Sequence, residues 1–525
     1  MRLTASLSPA FLCSLLLLGP SLGGSSLTAS LLFGQDEAAA KKTEDDKTPA
    51  TAIAPVTTEH TVTIAGAEVA YTATAGTLPL VGEDEQPDPD AQVFYVAYTV
   101  KPKEGETRPL TFCFNGGPGS SSVWLHMGML GPKIVPIPDD ASFPAPPYGL
   151  EDNAHSLLDK TDLVFIDPVG TGYSRAARDD DKASRQSEFS GYEKDLNSVG
   201  EFIHRYVTEN GRWGSPKFLL GESYGTLRAA GLAGQLMDRY NMALNGIVFV
   251  SSVLDFATLL EDSNNDLPYV LFLPTLATTA HYHGELSEEW QNQNVQAVYD
   301  AAKQFALGEY ATALLKGVRP ESPEGRAIAK RIAELTGLSE EFVVDSNLRV
   351  GMQRFGKELL RDENRTVGRF DSRYTAPARE AAGDRGDFDA SGAALFAPFT
   401  SALYRHLREN LKVERGTPYE ILTGKVHPWD YEDFTNAYVR SDDTLAEALV
   451  MNPALHLFFA MGHYDLATPP AAAEYTLNRL TLTGNVEDRV TAKFYPGGHM
   501  MYVHEPSLDQ LRKDLVAFYA NALEK

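Results

Sequence analysis

The chain has 525 residues, of which 43 % are hydrophobic and 22 % charged, the proportions of a soluble globular protein large enough for one core plus an inserted or appended module. Its formal net charge of −25 argues against nucleic acid and anionic lipid surfaces as partners, because so acidic a surface repels phosphate. With two cysteines in the whole sequence, cross-linking is not expected to stabilise the fold.

The amino terminus reads as an export signal over 1–29: Arg2 supplies the positive charge, an apolar stretch covers 10–18, and small residues surround Gly23 and Ala29. The Gly-, Ser- and Thr-rich second half is too polar for a spanning helix, so cleavage is expected, giving an exported protein, periplasmic or secreted, without stable membrane insertion. Cleavage removes Cys13 and leaves Cys113 alone. Residues 30–58 are rich in Ala, Thr, Lys, Asp, Glu and Pro without apolar periodicity and read as a disordered linker.

Residues 59–257 read as the first half of a core. Segments 59–71 and 92–100 alternate as strands do, and commonly such opening strands form the antiparallel edge of a mixed sheet. The apolar runs 110–114 and 162–167 fit buried parallel strands, each ending in a glycine-rich turn, and Cys113 falls inside the first as a core residue. Leu196, Val199, Ile203, Tyr206 and Val207 predict a helix over 193–207, followed by a strand at 217–220, a helix at 226–237 and a strand at 246–250. Residues 258–430 read as a mostly helical inserted cap, with a loop-like stretch at 373–388. The second core half, 431–525, carries strands at 454–460 and 490–495, a helix at 471–482 between them, and a closing helix at 507–522.

Gly221-Glu222-Ser223-Tyr224-Gly225 lies between a predicted strand and a predicted helix, the setting a nucleophile elbow needs. The fold class expected is therefore α/β, an α/β-hydrolase whose largely parallel mixed sheet is flanked by helices. Ser223 is the candidate nucleophile. A serine hydroxyl needs a histidine base, and that base needs a carboxylate to fix its tautomer. His499, in Pro496-Gly497-Gly498-His499-Met500, follows the last strand; Asp465, in Met461-Gly462-His463-Tyr464-Asp465, follows the strand before it. Oxyanion donors are assigned to the backbone N–H groups of Gly117, in the loop Asn115-Gly116-Gly117-Pro118-Gly119, and of Tyr224. That loop lacks the lysine and hydroxyl spacing of a phosphate cradle. His281 and His283 alternate as metal ligands can, but no third ligand lies near them in sequence, and acyl transfer by this set requires neither metal nor organic cofactor.

Four motifs, Asn115 to Ser121, Asp167 to Ser174, Gly221 to Gly225 and Gly497 to Met500, together resemble the serine carboxypeptidase family in content and order. The resemblance implies a peptide hydrolase that releases C-terminal residues, with Asn115 and a protonated Glu222 holding the substrate's terminal carboxylate. Two positions depart from the family. Met129 stands where a second Glu commonly precedes Leu-Gly-Pro, and Ser120 stands where many members have a disulfide cysteine, which suggests a bacterial branch. Met129 keeps a second reading open, an esterase or acyltransferase with the same triad, and behind it an inert binding protein on the fold.

Overall fold

A computed structural model describes residues 52–81, 89–177, 185–480 and 487–524. The export signal and most of the linker lie outside them. Ten strands form one twisted sheet: β1 (Val56–Ile64), β2 (Ala67–Leu80), β3 (Ala91–Thr99), β4 (Leu110–Phe114), β5 (Asp162–Ile166), β6 (Arg175–Ala176), β7 (Lys217–Glu222), β8 (Gly246–Val250), β9 (His456–Gly462) and β10 (Val490–Tyr495). Their spatial order is β1-β2-β3-β5-β4-β7-β8-β9-β10, with β6 paired to β3. The first three strands are antiparallel neighbours and β3 meets β5 antiparallel, whereas β5, β4, β7, β8, β9 and β10 run parallel. Strands β4, β5, β7 and β8 are buried along their whole length, as expected for apolar runs covered by helices on both faces.

Two readings of the opening segment are corrected. The strand expected over 59–71 is a hairpin: Ala65 and Gly66 both take positive φ, 48° and 81°, and turn β1 back onto β2. Strand β1 also begins at Val56, inside the segment read as linker, because Val56, Thr58 and His60 alternate with the exposed Thr57 and Glu59 along the sheet edge.

Helices α1 (Tyr192–Glu209) and α2 (Tyr224–Tyr240) connect the parallel strands on one side of the insertion. Between β8 and β9 the chain leaves the sheet. It forms α3 (Leu267–His283), α4 (Val295–Phe305), α5 (Pro323–Thr336) and α6 (Ala390–Arg405), then returns through α7 (Asp442–Met451). Within the stretch read as loop, Thr375–Pro377 forms a short strand that pairs antiparallel with Arg365–Val367 ahead of it. Residues 420–430 of the insertion are bonded to core loops: Ser120 bridges Leu422, Gly172 bridges Glu420, and Gly191 bridges Asp430. Helix α8 (Pro470–Arg479) and the terminal α9 (Glu505–Leu523) complete the sheet's cover. Cys113 is free and buried. Among the described residues no helix is long and apolar enough to cross a membrane.

Candidate active site

The residues singled out as catalytic lie at or just beyond the C-terminal ends of β4, β7, β9 and β10. At the end of β7, Ser223 takes φ 59° and ψ −130°, a strained conformation costing about 1–3 kcal/mol that persists only where surroundings enforce it. Three glycines enforce it by close packing. A Cβ on Gly221 would lie 2.2 Å from the Gly225 carbonyl oxygen, one on Gly225 2.8 Å from the Phe114 oxygen, and one on Gly116 2.4 Å from Tyr224 N. Ser223 N–H donates to the Val250 carbonyl at 3.0 Å, and the Thr226 hydroxyl donates to the Ser223 carbonyl at 2.6 Å. Ser223 is half-buried at the start of α2, where Tyr224 N–H belongs to the amides a helix start leaves without an intrahelical acceptor.

His499 Nδ1 lies 2.9 Å from Asp465 Oδ2, both side chains buried. Asp465 is fully enclosed and receives three more hydrogen bonds, from Ala467 N–H and Thr468 N–H on Oδ1 and from the Thr468 hydroxyl on Oδ2, at 2.8, 2.9 and 2.8 Å. A carboxylate so held accepts from Nδ1–H, which leaves Nε2 of the neutral ring as the acceptor. Burial pulls the His499 pKa down, but the charge and hydrogen bond of Asp465, together with the charge of Glu222, leave it raised. The Ser251 hydroxyl donates to the His499 carbonyl at 2.7 Å, one residue beyond the Val250 oxygen that anchors Ser223, so base and elbow share a scaffold.

The insertion reaches this loop as well. His499 N–H donates to the Phe370 carbonyl, Gly498 N–H donates to Asp371 Oδ2 at 3.1 Å, and the Asp371 carboxylate is gripped by Arg373 at 2.7 Å. The same segment meets the acid loop, Ser372 N–H donating to the Tyr464 carbonyl and Leu466 N–H to the Arg369 carbonyl. Sequence reading missed this clamp because its partners lie over a hundred residues apart.

Gly117, at φ 106°, follows Gly116, whose α-carbon rests against the Tyr224 and Gly225 amides, so the two backbones named for the oxyanion run side by side. Gly119 is needed for a different approach: a Cβ there would lie 2.3 Å from the Thr423 carbonyl. Asn115 is buried; its Oδ1 accepts from Leu125 N–H at 3.2 Å and its carbonyl accepts from Arg228 Nη1 at 2.7 Å. Its Nδ2 has no hydrogen-bond partner within bonding geometry, although it lies near enough to favour the ionised form of Glu222. Arg228 is enclosed, paired through Nε to Asp195 at 2.7 Å and set over the rings of Phe114 and Tyr224. An arginine and an aspartate on the inward faces of α2 and α1 were the available signal for this pair.

Glu222 is buried, and burial lifts its pKa to about 7 against the charge of His499 and the hydroxyl of Tyr502, which donates to Oε2 at 2.6 Å. Asp167 anchors its motif to the glycine loop, Oδ1 accepting from the N–H and hydroxyl of Ser122 at 3.0 and 2.9 Å, and burial raises its pKa to about 6. Met129 is buried in the helical turn His126–Leu130. The histidines at 281 and 283 each face a backbone carbonyl, of Gln293 and Ser372, and His463 is stacked on Phe494 with its pKa lowered by burial to about 4. No group of three or more metal-capable side chains occurs among the described residues.

Residues 78–349 match the family model described as serine carboxypeptidase. Among similar proteins are Serine carboxypeptidase-like 36 of Arabidopsis thaliana, 30 % identical over 157 residues (29 % of this chain, 28 % of that protein). Pheromone-processing carboxypeptidase KEX1 of Saccharomyces cerevisiae is 32 % identical over 159 residues (29 % and 20 %), and the lysosomal protective protein of Mus musculus 25 % over 198 (38 % and 36 %). The aligned stretches thus span a fifth to about a third of these relatives. The solved structure of Kex1(Δ)p, a prohormone-processing carboxypeptidase from Saccharomyces cerevisiae, superposes with a TM-score of 0.53 at 17 % identity, covering 86 % of this chain and 91 % of that one, and so shares the α/β-hydrolase fold. With half its length matched by the family model, and the elbow and glycine loop inside that half, the chain belongs to the serine carboxypeptidase family.

Proposed function

We propose that this protein is an exported serine-type carboxypeptidase that releases C-terminal residues from peptides through an acyl-enzyme on Ser223. The observations that support the reading are a strained serine and a buried His499–Asp465 pair tied to one scaffold at Val250 and Ser251, with an amide donor at Asn115 Nδ2 and a protonatable carboxyl at Glu222. His499 Nε2 takes the Ser223 proton as the hydroxyl oxygen bonds to the scissile carbonyl carbon. The N–H groups of Gly117 and Tyr224 receive the oxyanion. Collapse of the tetrahedral intermediate breaks the peptide bond, and His499 gives its proton to the departing amine; water then repeats the sequence on the acyl-enzyme. Asp465 positions the ring throughout.

The departing residue carries the free carboxylate. Asn115 Nδ2 and the neutral carboxyl of Glu222 supply donors for it, whereas an ionised Glu222 would repel it. The insertion between β8 and β9, read as the cap over 258–430, closes the site and sets residue preference. Export follows from the amino-terminal signal, outside the described residues.

The test is hydrolysis of a blocked dipeptide with a free or an amidated carboxyl end by the wild type and by Ser223→Ala. Cleavage of the free acid in strong preference to the amide, with loss of about 10⁴-fold or more in the variant, is expected. Equal rates on both substrates would place the protein with the esterases and acyltransferases instead.

A further inference from the structure

Tyr502 lies in the short helical turn Met501–Val503 that follows the His499 loop, and it is almost completely enclosed. Its hydroxyl donates to Glu222 Oε2 at 2.6 Å, between residues 280 positions apart. The ring is seated on Gly128: a Cβ at that position would come within 2.7 Å of Tyr502 Cε2 and 3.0 Å of the Phe399 ring. Gly128 immediately precedes Met129, where the family pattern places a second carboxyl. The turn that lacks the acid is thus the turn that makes room for the phenol.

The chemical consequence follows from which oxygen is occupied. A carboxyl oxygen that already accepts an O–H is the poorer place for the acid proton, so a neutral Glu222 held by Tyr502 carries its proton on Oε1. Tyr502 stays a donor, because burial, followed by the charge of Glu222, holds its pKa well above the ordinary tyrosine value. The groups facing Glu222 are His499, Tyr502, Asp465 and Asn115.

We propose that Tyr502 is a specificity-determining residue that takes the place of the absent second carboxyl, fixing Glu222 so that Oε1–H and Asn115 Nδ2–H together receive the terminal carboxylate of a peptide. The inference rests on the carboxypeptidase reading and adds to it a residue and a pH signature. Unlike a carboxyl, the phenol does not share a titrating proton with Glu222. Its bond stabilises the ionised form, so preference for a free carboxyl end declines as pH rises through about 7, and removing the bond moves that decline upward.

The readout is the ratio of kcat/KM for a blocked dipeptide acid to that for its amide, from pH 5 to 9. Both substrates need neutral His499, so its titration cancels in the ratio. In the wild type the ratio falls on passing about pH 7. In Tyr502→Phe it is reduced about tenfold at pH 5.5, the size of one lost charge-assisted or well-placed hydrogen bond, and its decline is displaced to higher pH. In Glu222→Gln the ratio is independent of pH. Gly128→Ala, which crowds the ring without touching Glu222, lowers the ratio in the same direction and carries the test should Tyr502→Phe fail to fold. Ratios and midpoints in Tyr502→Phe and Gly128→Ala that match the wild type would overturn the role of Tyr502 while leaving the carboxypeptidase reading intact. A wild type with no preference for the acid would overturn both.

Discussion

Glu222 and His499 cannot be titrated apart. In the proposed mechanism the active pairing has Glu222 protonated and His499 neutral, and this state holds the same number of protons as its inactive tautomer with both groups charged. Because each pKa is raised, by burial for Glu222 and by Asp465 for His499, the rate on free-acid peptides is expected to follow a bell. The acid limb is the pair losing the first of its two protons as pH rises, and the alkaline limb is the loss of the second. In amide or ester substrates the alkaline limb at Glu222 disappears. A second residue-scale expectation concerns Asp371, which holds Gly498 N–H from the insertion. Asp371→Asn keeps one acceptor oxygen but weakens the grip of Arg373, and should lower kcat about tenfold with KM little changed; an unchanged kcat would show that the His499 loop holds itself.

At the scale of elements, the site is made by backbone approach. Gly116, Gly221 and Gly225 let β4, β7 and the start of α2 meet where any side chain would collide. Gly116→Ala is therefore expected to cost about 2–3 kcal/mol of stability and to remove activity, measured by denaturant unfolding alongside turnover. Arg228→Met leaves Asp195 buried without its cation and strips the Asn115 carbonyl of its donor. A loss of about 3–5 kcal/mol follows at neutral pH. Burial already raises the Asp195 pKa, so the penalty should shrink in acid, where the carboxyl takes up a proton.

The elements that position the site were legible in the sequence because their signals are local. Leu110–Phe114, Gly246–Val250 and Val490–Tyr495 coincide with the strands expected there, and the elbow is readable from the strand and helix on either side of it. The hairpin at Ala65 was not, since Gly66 marks a turn but an alanine at positive φ does not. Nor were Tyr502, Asp371 and Arg228, whose partners are brought near only by the folded sheet.

For the whole molecule, the charge of −25 and the buried acids act in one direction. Self-repulsion among surface carboxylates is relieved by salt, so the melting temperature should rise on adding about 0.3 M sodium chloride at neutral pH. Glu222, at about 7 in the fold against 4.5 ordinarily, contributes stability fully present below 4.5 and lost as pH rises through 7. Glu222→Gln removes that loss, and is expected to stabilise the protein at pH 8 by about 1–3 kcal/mol while changing little at pH 4.

In the proposed function Ser223 drives removal of residues from the carboxyl end of peptides. Mass spectrometry of an unblocked oligopeptide incubated with the wild type and with Ser223→Ala tests it most directly. A ladder of products shortened one residue at a time from the C-terminus is expected from the wild type alone. Internal fragments, an intact peptide in the wild-type reaction, or the same ladder from Ser223→Ala would contradict it.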